Sequence, residues 1–483
     1  MAFEDMLHPW LGMYTASPQW FKNSLGRAYS ALPLGLRKGR HYQQFSHEAN
    51  LDNECEIAQL ANQKLATTLS WAIRSVPAYK QFKNLLRHID LADPKAQRQI
   101  LREFPLVSKE DIRRDLNNYL EKSAARRFGL KTYSGGSTAT PMMSYLHKGI
   151  SRTKEYAFMN NFYRRVGVGE QDIILALRGR TVPTAKQAGG KLWMYEPINR
   201  QLMLSSDHLE RRYMDDYIRT IRAWKPSFIH AYPSAIYPLA RWIKENSIPD
   251  IAGRIKGVML FSENVLDHHM SLLKDVFQCP IFKQYGHTEK VLMAASLADD
   301  ERYFFWPQYG HTELVDAMGN AVTRPGELGE LVGTGFDNHV MSFIRYRTGD
   351  MAILDDTAST KLPGYPVMTR IEGRRQEFIV CRDHRLIGVC GMGAAHSRDL
   401  MEVDSMQYEQ KTPGHLILKV VTPRPLSMET KQRIIGAMEA KTQGGCTAEV
   451  IEVETIARTL RGKHQLLVQH IDISPYLGAT VAQ

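Results

Sequence analysis

"PIFKQYGHTEK", Pro280 to Lys290, decides how the chain is read. Its first four residues carry two β-favouring side chains, Ile281 and Phe282, and the polar run that follows closes a strand. In an open α/β sheet, ligands bind at loops beyond the carboxyl ends of the strands. The residue types in this loop suit a nucleotide. Tyr285 can stack on a base, Thr288 can bond a phosphate, and Glu289 can hold magnesium through oxygen. A plain polar turn would use the same residues, so the surrounding chain has to decide between the two.

Working outward, short β-rich runs at 173–175, 227–229, 257–261 and 280–282 alternate with helical apolar spacing at 56–75, 93–103, 150–165 and 208–224. The Val76-Pro77 step ends the first of these helices. Strands alternating with helices predict an α/β core with parallel pairing. Beyond residue 300 the pattern changes. Residues 302–355 read as several strands, with turns at Pro325-Gly326 and at Gly333. A strand over 415–421, a helix over 427–441 and a strand over 447–453 make a small α+β domain. The expected division is a large N-terminal α/β domain, 1–372, and a small C-terminal domain, 373–483. A helical strap covers about 1–50. The mixed aromatic and basic stretch Trp20 to Tyr42 reads as part of that strap rather than as a membrane-surface element, because it shows no clear amphipathic face.

Composition narrows the function classes. The 483 residues are 43 % hydrophobic and 23 % charged, which is globular and ample for a large core. Lys+Arg exceed Asp+Glu by 62 to 51, giving +11. The excess is dispersed, with short patches only at Arg37-Lys38-Gly39-Arg40 and Arg374-Arg375, and no basic-aromatic patch of the kind that binds nucleic acid is present. Five scattered cysteines form no C-x-x-C pair and no zinc spacing, which fits a reducing compartment. The N-terminus carries acids where a secretory signal needs bases. No apolar run approaches the roughly 18 residues of a membrane span. The expectation is a cytosolic protein without stable membrane insertion; the sequence leaves its oligomeric state open.

Four other stretches carry candidate chemistry. "YSGGSTATPM", Tyr133 to Met142, combines glycines with hydroxyls, a natural cradle for phosphate oxygens or else an ordinary surface loop. "YRTGD", Tyr346 to Asp350, places a carboxylate after a glycine turn, where it can accept both hydroxyls of a ribose or simply cap a β-turn. "RIEGRRQEFIV", Arg370 to Val380, puts Arg374 at the domain boundary, facing a nucleotide or serving as a charged hinge. "ARTLRGKHQLL", Ala457 to Leu467, offers Lys463, a compact mobile cation suited to charge that develops at phosphorus, or a solvated surface lysine. Arg178 and Arg180, in LALRGR, can meet an anion or lie in a surface loop.

Taken in order, the phosphate-type loop, YGHTE, YRTGD, GRRQE and RTLRGK resemble the adenylate-forming superfamily of acyl-CoA synthetases, adenylation domains and luciferases. The resemblance runs from about residue 50 to 467. It is strongest to phenylacetate-CoA ligases and their capsule-biosynthesis relatives, with support from "GRAYSALPLGLRKGRHY", "HAYPSAIYPLA", "FSENV" and "GTGFDNHVMSFIRYRTGD". It implies a large adenylate-forming α/β domain with a small mobile C-terminal lid. It also implies ATP and Mg2+ as cofactors, and coenzyme A as second substrate.

By the same resemblance Ser134, Gly135, Gly136, Ser137 and Thr138 wrap the ATP phosphates. Tyr285 packs against the adenine, with Gln284 and Gly286 beside it among the nucleotide-binding residues and Ser262 and Glu263 near the nucleoside. Asp350 and Arg374 grip the ribose. Thr288 orients the α-phosphate, Glu289 holds magnesium, and Lys463 is the catalytic cation. His230, Tyr232, Pro233 and Ser234 line the acid pocket, where aromatic and small residues favour a compact aromatic or short apolar acid. The chain departs from the family at Ala139, Thr140, Gln376-Glu377 and Ala457. The implied reaction activates a carboxylic acid as acyl-adenylate and passes the acyl group to coenzyme A. Transfer to an amine or a carrier protein, and a non-catalytic nucleotide-binding relative, are the competing readings.

Overall fold

The computed structural model describes residues 17–32, 34–87, 90–133, 142–178, 192–206, 208–209, 211–355, 361–374, 377–389, 392, 403–457, 464–473 and 476. The chain divides into two compact units. One gathers 171–283, 350–352 and 371–483; the other gathers 1–170, 284–349 and 353–370.

In the first unit, strand β1 (Phe228–Ala231) lies between Ile174–Leu177 and strand β2 (Gly257–Phe261) and is parallel to both. Gln201–Leu204 extends the parallel set, and Trp193–Glu196 pairs antiparallel at its edge. β1 is buried along its whole length, as a strand covered on both faces must be. Helix α1 (Pro233–Glu245) follows β1, and helix α2 (Asp267–Phe277) follows β2. Ile236, Leu239 and Ala240 of α1 pack with Leu273 of α2 against Ile229, Val258 and Leu260. Each large aliphatic side chain so buried contributes roughly 1.5–3 kcal/mol. These β-α-β steps are the parallel α/β core expected from the sequence.

The C-terminal part of this unit has its own sheet and core. Ser405–Thr412 and His415–Val421 form an antiparallel pair, flanked by Thr447–Glu452 and Leu467–Gln469, each parallel to its neighbour. The helix Met428–Lys441 begins where Ser427 accepts the Thr430 N–H, and it lays Ile434 and Met438 on Leu416, Leu418 and Val420.

Strand β3 (Ile281–Gly286) ends in the second unit, where its Gln284, Tyr285 and Gly286 pair antiparallel with Met293–Leu297. Beyond that strand come Asp300–Phe305, Val367–Arg374, Tyr346–Leu354, Leu328–Gly335 and Gly310–Val315 in spatial order. Gly333, expected at a turn, lies inside the strand Leu328–Gly335. It is glycine for lack of space: a Cβ there would press on Val291 and Leu292. The helix Glu54–Ser75 starts at Asn53, which accepts the Glu56 N–H, and stops at Val76 before Pro77. Its Leu65, Leu69 and Ile73 pack with Ile100, Leu101 and Phe104. The helix Tyr42–Ala49 is fastened to Ser151–Val166 where Asn160 Nδ2 donates to Tyr42 Oη at 2.6 Å, and Thr153 Oγ1 holds the chain just before it through the Lys38 carbonyl at 2.8 Å. A buried ionic cluster ties these helices to a loop. Lys64 meets Glu48 at 2.7 Å and Asp337 at 3.0 Å, and Lys154 meets Asp337 at 2.9 Å. Burial alone would raise the Asp337 carboxyl, but the two lysines outweigh it and hold it at about 2. Among the described residues no helix is long and apolar enough to cross a membrane.

Candidate functional site

In the first unit, the loop after β2 is the centre of a small network. Ser262 takes a left-handed backbone, φ 62°, which turns the chain sharply at the carboxyl end of the strand. Glu263 then reaches back to α1. That helix has Tyr232 at its N-cap, with no side-chain cap, and Pro233 at its first turn. The Ser234 N–H would lack an acceptor within the helix, and it donates to Glu263 Oε2 at 3.1 Å. The other carboxylate oxygen, Oε1, accepts the His464 N–H at 2.9 Å. The His464 ring is fixed separately, with Nε2 and the Met406 carbonyl 2.6 Å apart. The third residue of the loop, Asn264, donates from Nδ2 to Glu377 Oε2 at 2.6 Å. Gly373 sits against this pair with φ 102°, and a Cβ there would collide with both side chains. Ser234 and His464 both line a cavity of about 560 Å³ in this unit, together with Tyr237, Arg241, His268 and His269.

His230, in β1, is buried, and its pKa lies well below the usual imidazole value because of burial first and the Arg178 charge second. It is therefore a neutral ring. Phe261 packs 4.3 Å from it, and Tyr232 is 5.0 Å from Phe261, centroid to centroid. Arg178 itself donates to Gln201.

In the second unit, Glu289 is 5 % exposed. Tyr346 Oη donates to its Oε1 at 3.1 Å, and His287 Nδ1 lies 3.2 Å from its Oε2. The Leu292 N–H points at His287 Nε2, 3.2 Å away. A ring nitrogen that accepts carries no proton, so this pattern assigns the proton to Nδ1, aimed at Glu289. Burial alone would raise the Glu289 carboxyl; the His287 hydrogen bond, aided by the Lys109 charge, outweighs it and holds the pKa at about 2. Glu289 is thus a carboxylate at neutral pH, with each oxygen able to accept a further bond. That suits magnesium, which is commonly held through one or two carboxylates and substrate phosphates. Thr288 lies beside it in sequence. Tyr285 packs 5.7 Å from Phe305 and 6.0 Å from His287.

Asp350 lies within the strand Tyr346–Leu354 rather than at a turn apex. The glycine before it bends the strand without ending it: Gly349 has φ 79°, and its N–H donates to Glu330 Oε1 at 3.1 Å. Arg374 ends the strand Val367–Arg374, and its side chain is outside the described residues. Ser134, Gly135, Gly136, Ser137, Thr138, Ala139, Thr140, Arg180, Gln376 and Lys463 also lie outside them. The structure brings Ser234, Glu263 and the residue after Lys463 together, and separately brings Glu289 to His287 and Tyr346. The sequence reading missed Asn264, Glu377, His464 and Tyr346 as partners. All four stood inside quoted motifs, yet no spacing rule links residues so far apart.

No protein-family model matches the chain. It is 22 % identical over 413 residues to Protein CapK of Staphylococcus aureus, covering 85 % of this chain and 88 % of that protein. Among solved structures, 2-hydroxyisobutyryl-CoA ligase in the postadenylation state with R3-HIB-AMP superposes with a TM-score of 0.64. The match is at 15 % identity and covers 86 % of this chain and 90 % of that one. The fold is that of the adenylate-forming enzymes. The anthranilate CoA ligase AuaEII, in complex with anthranoyl-AMP, shares the adenylate-forming fold at a TM-score of 0.50 and 17 % identity, over 69 % of this chain and 64 % of that one. The large sheet domain and the separate C-terminal α+β part of this chain are the two parts of the adenylate-forming fold.

Proposed function

We propose that the protein activates a carboxylic acid with ATP, forming an acyl-adenylate and pyrophosphate, and then transfers the acyl group to coenzyme A. The observation that carries this reading is Glu289, a buried carboxylate held ionised in the strand-end loop where the motif order expects a magnesium ligand. Support comes from the fold and from its relatives, one of which was solved with 2-HIB-AMP and CoA.

In the first step a carboxylate oxygen attacks the α-phosphorus and the bond to pyrophosphate breaks. Both reactants are anions, so the site must relieve repulsion. A magnesium ion on Glu289 and phosphate oxygens would supply neutralising charge. Lys463 neutralises charge at the breaking bond, and Thr288 orients the α-phosphate. Ser134 to Thr138 cradle the outer phosphates, Gln284, Tyr285 and Gly286 hold the adenine with Ser262 near the nucleoside, and Asp350 and Arg374 hold the ribose. Holding both reactants in line lowers the barrier further. In the second step the coenzyme A thiol attacks the acyl carbon, its proton is lost, and AMP leaves. The acid would sit against His230, Tyr232, Pro233 and Ser234. A neutral His230 beside Phe261 and Tyr232 offers an aromatic wall rather than a cation, which favours a compact aromatic acid of the phenylacetate type.

A pyrophosphate-release screen across carboxylic acids, with and without coenzyme A, tests the reading. It predicts release that depends on one class of acid and consumption of free coenzyme A. Release without thioester formation, in the presence of an amine or carrier, would move the acceptor; no release with any acid would overturn the activity.

A further inference from the structure

Lys290 follows Glu289 and stands where the loop after β3 turns back. Its backbone is left-handed, φ 55°, a conformation that a residue with a side chain keeps only where its surroundings hold it there. Its N–H closes the turn on the His287 carbonyl at 3.1 Å. The His287 ring is set between the Leu292 N–H and the Glu289 carboxylate, 3.2 Å from each. The turn that Lys290 closes therefore carries the histidine that holds Glu289. The Lys290 side chain leaves the loop for Glu155, on the helix Ser151–Val166, with Nζ 3.1 Å from Oε1. The other Glu155 oxygen, Oε2, accepts from Tyr309 Oη at 2.5 Å. Tyr309 is held at its other end too, where its carbonyl accepts from Lys154 Nζ at 2.7 Å, and Lys154 is fixed to Asp337 in the buried ionic cluster. Burial alone would raise the Glu155 carboxyl; the Lys290 charge and then the Tyr309 hydrogen bond hold it below its usual value. Glu155 is thus an anchored carboxylate with one oxygen directed at the loop.

We infer that Glu155 is a positioning residue for the candidate magnesium site: its ion pair with Lys290 holds the turn 287–290 and so aims the paired side chains of His287 and Glu289. The inference rests on the reading of Glu289 as the magnesium ligand. Groups that orient a ligating carboxylate tune how well it holds the metal. Here the orienting path runs from Glu155 through Lys290 and the backbone turn to His287. The ion pair is largely shielded, with the Lys290 and Glu155 side chains 19 % and 27 % exposed, so salt screens it less than a surface pair. Without it, the left-handed Lys290 loses the one side-chain tie that fixes it to the helix, and the turn loses rigidity.

The test uses the full-length protein with Glu155→Gln, Lys290→Met and the double variant. The glutamine keeps an acceptor for Tyr309 Oη, and the methionine probes the same pair from the loop side, so the test does not depend on the helix residue alone. The first readout is amide hydrogen exchange at Lys290, without metal or nucleotide. It should quicken by about three- to tenfold in each single variant and no further in the double, because the two residues act as one pair. The second is calorimetric affinity for α,β-methylene-ATP, an analogue uncleavable at the reacting bond, with and without magnesium. The gain in affinity that magnesium brings should fall by about three- to tenfold in each variant, while affinity without magnesium changes less than about twofold. A merely structural role would move both affinities alike, and that result would overturn the inference. So would exchange at Lys290 identical to wild type in both folded single variants, additive effects in the double, or faster exchange with an undiminished magnesium gain. Glu289→Gln is the reference. If it leaves the magnesium gain whole, the reading of Glu289 fails on its own and the positioning role falls with it, while the Lys290 amide still reports the tie.

Discussion

The proposed chemistry rests on single residues, and one of them is assigned to binding rather than to bond making. Asp350, which the proposed function assigns to the ribose, sits in a strand with Gly349 in the left-handed region just before it. Asp350→Ala should weaken nucleotide binding by about tenfold, the loss of one or two hydrogen bonds to a charged group. Isothermal calorimetry with ATP measures this, and unchanged affinity would reassign Asp350 to the strand's own structure. Gly373 makes a different point. Its φ of 102° and the crowding by Asn264 and Glu377 leave no room for a side chain. Gly373→Ala should cost more than about 1 kcal/mol, seen as a lower thermal midpoint. It should also loosen the Asn264–Glu377 contact. A midpoint equal to wild type would show that the backbone there relaxes freely.

At the scale of elements, the segments with unbroken periodicity were readable. The helix ending at Ser75 was legible because apolar spacing and the Val76-Pro77 step agree. The strand His415–Val421 alternates buried and half-buried residues without interruption. Gly333 was misread because glycine in a strand interior and glycine in a turn look the same until the neighbouring Val291 and Leu292 are known. The candidate site was legible as motifs and illegible as a network. Glu263 meets partners 29 and 201 positions away, and Asn264 meets one 113 positions away. Local spacing holds no record of such distances. A helix start, by contrast, is local. Ser427→Ala removes the acceptor of the Thr430 N–H and should destabilise the protein by about 1 kcal/mol. Chemical denaturation would show this, with hydrogen exchange at Thr430 accelerated before that of Leu418. Unaltered exchange there would mean that water or another group replaces the cap.

The whole molecule should respond to acid in two stages. His311 is lowered to about 4 by burial, then by Arg98 and Arg345, and burial drives His230 and His269 well below the ordinary 6.5. A neutral buried histidine binds protons less readily than the unfolded chain, so its contribution is complete above 6.5 and falls as the pH drops toward 4. Asp337 and Glu289, each held at about 2, contribute fully above 3.8 and 4.5 and lose that contribution as the pH falls through 2. The denaturation midpoint at constant ionic strength should therefore be level above pH 6.5, decline from 6.5 to 4, and decline again below 4.5. A midpoint unchanged between pH 7 and 5 would contradict the histidine assignment. The proposed activity makes the more demanding claim, since on this reading it needs the nucleotide, the acid and Lys463. ATP–pyrophosphate exchange in wild type and Lys463→Ala tests it most directly. The account predicts acid-dependent exchange in wild type and a rate lower by roughly 10²–10³ in the variant, with ATP affinity little changed; equal exchange in the two proteins would contradict it.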